Sequence, residues 1–317
     1  MKSVYEASVA YAFMKVFGNS TLRPASIRCV ISIMRNFFIS QFRLAIFPSR
    51  VPVSRVDHPL DLKIPFTPAW INVYIDFVAY WLRMLAFLYK TYGKRSIGPI
   101  TEFVESIGKL YAFVATVYRK NLSTMKRPFY VSSRRFFTIH LLDPHLMCVP
   151  SLHVMVVTFA HAKFAAILRS FGEAETHSAI LDETMRGALA ICKAILFVKQ
   201  HSVNCIGASI YALTRFDGEL FPPEKAEEFC TRFFESPPKA LMDKIDCLYS
   251  GEKSTCINAG KCGKCLLAVP GTTLPDNDVA EIKAHITNSY RRFYEEGKSA
   301  KSWEEPLLGF LRGMPRR

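Results

Sequence analysis

The sequence predicts an all-α, membrane-associated helical bundle of about six helices with a cysteine-rich C-terminal extension. Three observations carry this. Half of the 317 residues are hydrophobic, and they gather in long runs without useful strand alternation before residue 216. The net charge of +14 is uneven: residues 1–216 hold 26 Lys and Arg against 11 Asp and Glu, whereas residues 217–317 hold 15 against 16. Five of the nine cysteines, Cys230, Cys247, Cys256, Cys262 and Cys265, fall in that near-neutral tail. The expected organisation is a basic anchor segment over 1–56, a helical core over 57–216 and a Cys-rich extension over 217–317.

The elements follow in order. The N-terminus has Glu6 early and no long apolar stretch, so no cleaved signal is expected. Residues 25–48 carry Arg28, Arg35 and Arg43 at spacings of seven and eight, roughly on one helical face. That pattern predicts an amphipathic helix lying on a membrane surface. Residues 69–89 are long enough to cross a bilayer, which takes about 20 residues. Asp76 and Arg83 interrupt the run, each costing roughly 2.5–3.5 kcal/mol at a bilayer centre. Their separation of two turns lets both face into a bundle, and Pro65 and Pro68 stop the helix from starting earlier. Weaker helical character covers 102–118 and strong character 148–168. Residues 187–214 read as one broken helix or two short ones. After Phe216, "DGELFPPEKAEE" reads as a linker and a helix start.

A basic, apolar chain points to anionic lipid or phosphate as partner. Nucleic acid is not expected, because the cations are scattered through apolar runs and no nucleic-acid motif appears. Cys29, Cys148, Cys192 and Cys205 stand singly in apolar segments, as buried thiols do.

Three stretches hold polar groups in unusual places. In "KNLSTMKRP", Lys120 and Arg127 would converge on one anion from a helix or tight turn, a point charge beside a planar fork. In "CVPSLHVMVV", Pro150 and Ser151 read as the start of a helix, with Ser151 as its N-cap. A helix N-terminus offers free N–H groups to an anion, and His153 stands just inside it. In "AILFVKQHSVNC", Lys199 and His201 stand between two apolar halves, at the rim of a buried site. Each stretch also has a plain reading: a solvated basic patch, a satisfied core histidine and an interhelical loop.

Taken in order, the three resemble the signature of the type 2 phosphatidic acid phosphatase superfamily. Its first motif, Lys, six residues, Arg-Pro, is matched by Lys120 and Arg127-Pro128. Its second, Pro-Ser-Gly-His, is similar to Pro150-Ser151-Leu152-His153, in the form found in the branch of sphingomyelin and inositol-phosphorylceramide synthases. Its third resembles Lys199-Gln200-His201. The stretch 64–70, "IPFTPAW", is also similar to the proline-punctuated helix start of that branch, and the resemblance covers roughly residues 57–215. It implies a six-helix, multi-pass membrane bundle holding a phosphate among cations. His201 would attack phosphorus and form a phosphohistidine, and His153 would act as acid and base. Lys120, Arg127, Ser151 and Lys199 would hold the phosphoryl oxygens. No cofactor is implied, since fixed cations neutralise the charge of phosphoryl transfer. The substrate implied is a phospholipid or an isoprenyl (di)phosphate.

The chain also departs from that pattern. Ala194 and Ile195 replace the family's Ser-Arg, with Lys199 expected to reach a similar place from one turn away. Cys205 stands where the family has the Asp that orients the nucleophilic imidazole. Asn204 is expected to orient the ring without charge, or Asp143 or Asp76 to supply the carboxylate. Losing the corresponding charge in a serine-protease triad costs about 10⁴ in rate. A catalytically weakened phosphate-binding relative is therefore an alternative. A third reading is a membrane-anchored scaffold, whose tail thiols Cys247, Cys256, Cys262 and Cys265 would hold zinc.

Overall fold

The computed structural model describes residues 3–46, 51–128, 130, 134–242 and 274–317. It is mainly helical, 72% against 3% strand. The described residues hold more helices than the six or so expected, because the N-terminal and C-terminal segments contribute packed helices of their own.

The long apolar runs become helices where their polar punctuation allows. α1 (Val9–Gly18) begins at Ser8, whose side chain accepts from the Tyr11 N–H. α2 (Leu22–Ile33) continues through a π-helical stretch, Met34–Ile39, into α3 (Ser40–Ile46). α4 (Ile71–Ile75) and α5 (Phe77–Tyr92) meet at Asp76. The Arg83 guanidinium returns two turns to hold both Asp76 oxygens, at 2.7 and 2.9 Å. Both side chains are buried, so the interruption of the apolar run is an internal ion pair. α6 (Ile97–Tyr118) is followed by α7 (Arg134–Leu142), α8 (Leu152–Ser170), α9 (Ser178–Phe197) and α10 (Val203–Phe216). α11 (Pro223–Thr231), the single turn α12 (Lys239–Met242), α13 (Asp276–Ser299) and α14 (Glu305–Gly313) complete the described helices.

α8 is the central element and packs against α5, α6, α9 and α10. The flanking segments are built onto this core. α1 lies on α5 and α2 on α6, where Ser32 donates to the Gly108 carbonyl at 2.6 Å. The N-terminus is tied to α9, since Glu183 accepts from Ser3 Oγ at 2.6 Å and from the Val4 N–H at 2.9 Å. α13 lies along α10, and its Ile282, Ile286, Tyr290 and Phe293 join the same hydrophobic core as the body. Gly207 permits that approach. A Cβ there would stand 2.8 Å from Ser289 Cβ and 2.9 Å from the Ile286 carbonyl oxygen.

Two short strands, β1 (Val53–Arg55) and β2 (Leu122–Thr124), pair in parallel with Ser54 opposite Ser123. Single bridges extend this ladder to Met147 and Arg316. β2 is decisive for the first motif, because it lies between Lys120 and Arg127.

The runs Pro68–Tyr118 and Leu152–Ser170 contain helix long and apolar enough to cross a membrane, yet 72% of each apolar window is buried inside the molecule. The α2–α3 run leaves Ile27, Val30, Ile31, Met34, Ile39 and Ile46 exposed. Arg28, Arg35 and Arg43 are exposed on the same run. The four tail cysteines expected to bind zinc, Cys247, Cys256, Cys262 and Cys265, lie outside the described residues.

Candidate functional site

The start of α8 is pinned from three sides. The Cys148 and Val149 N–H groups donate to the Ser123 carbonyl and hydroxyl, at 3.2 and 2.8 Å. The Tyr118 hydroxyl donates to the Pro150 carbonyl. The Ser151 N–H donates to Ser209 Oγ at 2.6 Å, and Ser209 in turn donates to the Cys205 carbonyl. Ser151 occupies the N-cap position, with φ −76° and ψ 119°, as expected, but its hydroxyl does not cap the helix. It stands 3.3 Å from Nε2 of His201 instead. The first-turn N–H groups of α8, which have no partner within the helix, therefore face the same region as that imidazole.

His201 is delivered by a sharp turn. α9 stops at Phe197, and Lys199 adopts φ +54°, a left-handed conformation of the kind that ends helices. The Gln200 and His201 N–H groups both return to the Ile195 carbonyl, at 2.9 and 3.2 Å. Ser202 then caps α10, and Asp61 accepts from the Val203 N–H at 2.9 Å.

The His201 ring is buried and meets the His153 ring edge-on, with centroids 5.6 Å apart and planes at 62°. His153 lies between Tyr74 and Phe77, at 4.5 and 4.3 Å. It makes no hydrogen bond among the described residues. Nδ1 of His201 is buried and makes no hydrogen bond either.

A third imidazole belongs to the group. His145 lies 6.3 Å from His201, centroid to centroid, and its Nε2 is 2.7 Å from the Gln200 carbonyl. A carbonyl only accepts, so Nε2 carries the proton and Nδ1 is left to accept from Thr124 Oγ1 at 3.4 Å. Sequence reasoning missed His145. The signal was the pair Asp143 and His145 around Pro144, just upstream of the second motif, and Asp143 fixes the loop by accepting from the His145 N–H at 2.8 Å.

Arg127 reaches this group through Gln200. Nη1 donates to Gln200 Oε1 at 2.9 Å and Nη2 to the Asp143 carbonyl at 3.2 Å. Burial first, then His145, pushes the His201 imidazole down to about 3; the Cys148 carbonyl opposes this, and Arg127 adds less than either. Burial and Arg127 push His145 down to about 3 as well. Both rings are neutral at physiological pH, and a neutral ring keeps one nitrogen lone pair for nucleophilic attack.

Several expected members are placed elsewhere. Lys120 pairs with Glu304 at 3.1 Å, its side chain 53% exposed. The reason is backbone shape. Lys120 and Arg127 were expected to converge from a helix or tight turn, whereas the intervening chain runs through the extended residues of β2, which separate the two side chains instead of bringing them together. Lys199 was placed near the phosphate on the assumption that the helix reaches it. The left-handed turn instead sends its Nζ to the Asp61 and Ile64 carbonyls. Asn204 does not orient His201: its Nδ2 donates to the Val56 carbonyl at 3.2 Å and its Oδ1 meets His285 Nε2 at 2.9 Å. Cys205 is fully buried and makes no contact with His201 that would orient the ring. Asp76 is committed to Arg83, and Asp143 to Gln41 and the His145 N–H. The structure thus gathers His201, His153, Ser151 and, through Gln200, Arg127. No group of three or more metal-ligating side chains is assembled among the described residues.

No family model matches the chain, and neither a curated protein nor a solved structure matches it.

Proposed function

We propose that the chain is a membrane-associated lipid phosphate phosphatase or phosphotransferase, a divergent relative of the type 2 phosphatidic acid phosphatase superfamily, acting through a phosphohistidine. The observation that carries this reading is the juxtaposition of a buried, neutral His201 with the Ser151 hydroxyl and the His153 ring. Membrane association is supported by the two apolar helical runs and by the exposed apolar face of α2–α3 with its arginines. Multi-pass insertion belongs to the same proposal.

In this mechanism His201 attacks phosphorus, and its P–N bond forms as the bond from phosphorus to the leaving oxygen breaks. The substrate's own P–OH proton passes by way of His153 to that leaving oxygen. Water or an acceptor alcohol then gives its proton to His153 and attacks phosphorus, breaking the P–N bond. Ser151, the first-turn N–H groups of α8 and Arg127 stabilise the equatorial oxygens, where charge builds in the transition state. Covalent catalysis of this kind splits one displacement into two easier ones.

The test uses the purified full chain with phosphatidate and with an isoprenyl diphosphate. Phosphate release or transfer is expected, together with an acid-labile phosphoenzyme that His201→Ala abolishes. Turnover that survives His201→Ala overturns the mechanism.

A second reading, a phosphate-binding relative with little turnover, is favoured by one observation. Nδ1 of His201 has no carboxylate partner, and Lys120 and Lys199 are occupied elsewhere. Tight binding of phosphatidate without turnover would select it.

A further inference from the structure

A cavity of about 280 Å³ opens between α8, α9 and α11, with His161, Arg169, Lys225 and Arg232 set among apolar side chains such as Leu181 and Phe221. His161 lies eight residues beyond His153 on α8, about 12 Å along the helix, so this cavity is separate from the site around His201. Its hydrogen bonding defines the state of the imidazole. Thr184 Oγ1 donates its single proton to the Leu181 carbonyl at 3.0 Å. The same oxygen lies 2.9 Å from His161 Nδ1 and therefore accepts there. Nδ1 carries the ring proton, and Nε2 presents a lone pair that no described residue uses.

The charges around it divide into spent and unspent groups. Arg232 is taken up by Asp182, Glu228 and Glu235. Those contacts also engage the two carboxylates lining the cavity, Asp182 and Glu228, and Asp182 pairs with Arg186 besides. The Arg169 side chain makes no hydrogen bond or ion pair among the described residues. Lys225 gives one proton to the Leu220 carbonyl at 2.8 Å and keeps two donors. What remains unspent is a guanidinium, an ammonium and one neutral acceptor. That set matches a group carrying both anionic oxygens and a hydroxyl proton.

We propose that this cavity is a second binding site, for a phosphomonoester, with Arg169 and Lys225 on the anionic oxygens and His161 Nε2 accepting the P–OH proton. The site is independent of the phosphohistidine reading, since it shares no residue with it.

The experiment measures binding of inorganic phosphate to the full chain by calorimetry, for the wild type, Arg127→Ala and the pair Arg169→Met with Lys225→Met. Each charge-assisted hydrogen bond lost should weaken binding about tenfold or more. The paired variant is expected to lose one class of phosphate site, and Arg127→Ala to leave that class intact. Arg169→Met alone, at an exposed residue without partners, gives the same direction should the pair unfold, and thermal melting reports folding. Sulfate, which has no proton to give His161, should bind this class about tenfold more weakly than phosphate at pH 6. Vesicles of phosphatidylcholine with and without phosphatidate identify the source: a loss on the variants confined to phosphatidate vesicles assigns the site to a lipid headgroup, and a loss with free phosphate to the soluble anion. Phosphate and phosphatidate binding unchanged by Arg169→Met and by the pair overturns the proposal, and sulfate binding equal to phosphate overturns the role of His161.

Discussion

Nε2 of His201 stands 3.3 Å from the hydroxyl of Ser151, so a residue placed to cap α8 is turned toward the imidazole of another helix's start. Under the phosphohistidine proposal this contact assigns Ser151 a positioning and charge-stabilising role. Ser151→Ala should lower phosphoryl transfer by about 10²-fold, near the range for losing one oxyanion donor. It should leave stability nearly unchanged, because no cap bond is lost. A drop in thermal stability with unchanged kcat would show that the hydroxyl is structural.

The two cations of the first motif should behave differently. Arg127 touches Gln200, the neighbour of His201, and lies close enough to bias the imidazole. Lys120 makes an exposed pair with Glu304, of a kind worth about 0.2–1 kcal/mol. Arg127→Ala is expected to reduce turnover by 10²-fold or more, and Lys120→Ala to leave it within about twofold. Steady-state kinetics on both variants decides, and equal losses would restore Lys120 to the site.

The contrast shows what the sequence made legible. The helices, the break between α9 and α10, and the facing of Asp76 and Arg83 follow from apolar runs, polar punctuation and a two-turn spacing. The meeting of His153 and His201 was also visible, through motif order. Side-chain direction at irregular backbone was not. A left-handed residue at Lys199 and three extended residues at 122–124 each redirect a cation, and neither carries the glycine or alternation that would signal it. His145 reaches the site from another left-handed position, φ +59°. The packing of α13 against Gly207 is a long-range match of shapes that no local pattern encodes.

Position 205 illustrates the same point. The resemblance implies that Cys205→Asp restores a lost carboxylate relay. The thiol is fully buried and makes no orienting contact with His201, while burial pushes its pKa up. An Asp there would bring a carboxylate into a site with no cation to meet it, at a cost of several kcal/mol. Cys205→Asp is therefore expected to destabilise the fold without raising activity. Denaturant titration and turnover are the readouts, and a gain in kcat would show that the ring can be reached from this position.

Acid should destabilise the protein through its buried imidazoles. His201 and His145 are pushed down to about 3 and His285 to about 4, in each case first by burial. The unfolded chain takes up these protons near pH 6.5, so between there and the folded values it binds more protons than the native state. Stability is then complete above about pH 6.5 and falls as pH is lowered toward 3, by up to about 1.4 kcal/mol per pH unit for each of the fully buried His201 and His145 rings and by less for the partly exposed His285. His145→Gln removes one ring's share. Its stability-against-pH curve should be shallower than that of the wild type across this window, and parallel curves would place the acid sensitivity elsewhere.

The union of α13 with the body rests on Gly207. A Cβ at that position would lie 2.8 Å from Ser289 Cβ and 2.9 Å from both the Ile286 carbonyl oxygen and the Tyr290 nitrogen. Two of these three neighbours are backbone, which cannot swing aside as a long side chain would. Gly207→Ala must therefore push α13 away from α10, in a region where Ile282, Ile286 and Tyr290 are buried in the shared core. The gain in helix propensity, up to about 1 kcal/mol, is opposed by an overpacking cost of about 1–3 kcal/mol or more. Net destabilisation is expected in denaturant unfolding, with increased amide exchange along Asp276–Ser299. A Gly207→Ala variant as stable as the wild type, with α13 still protected from exchange, would show that the two helices are not in this close contact.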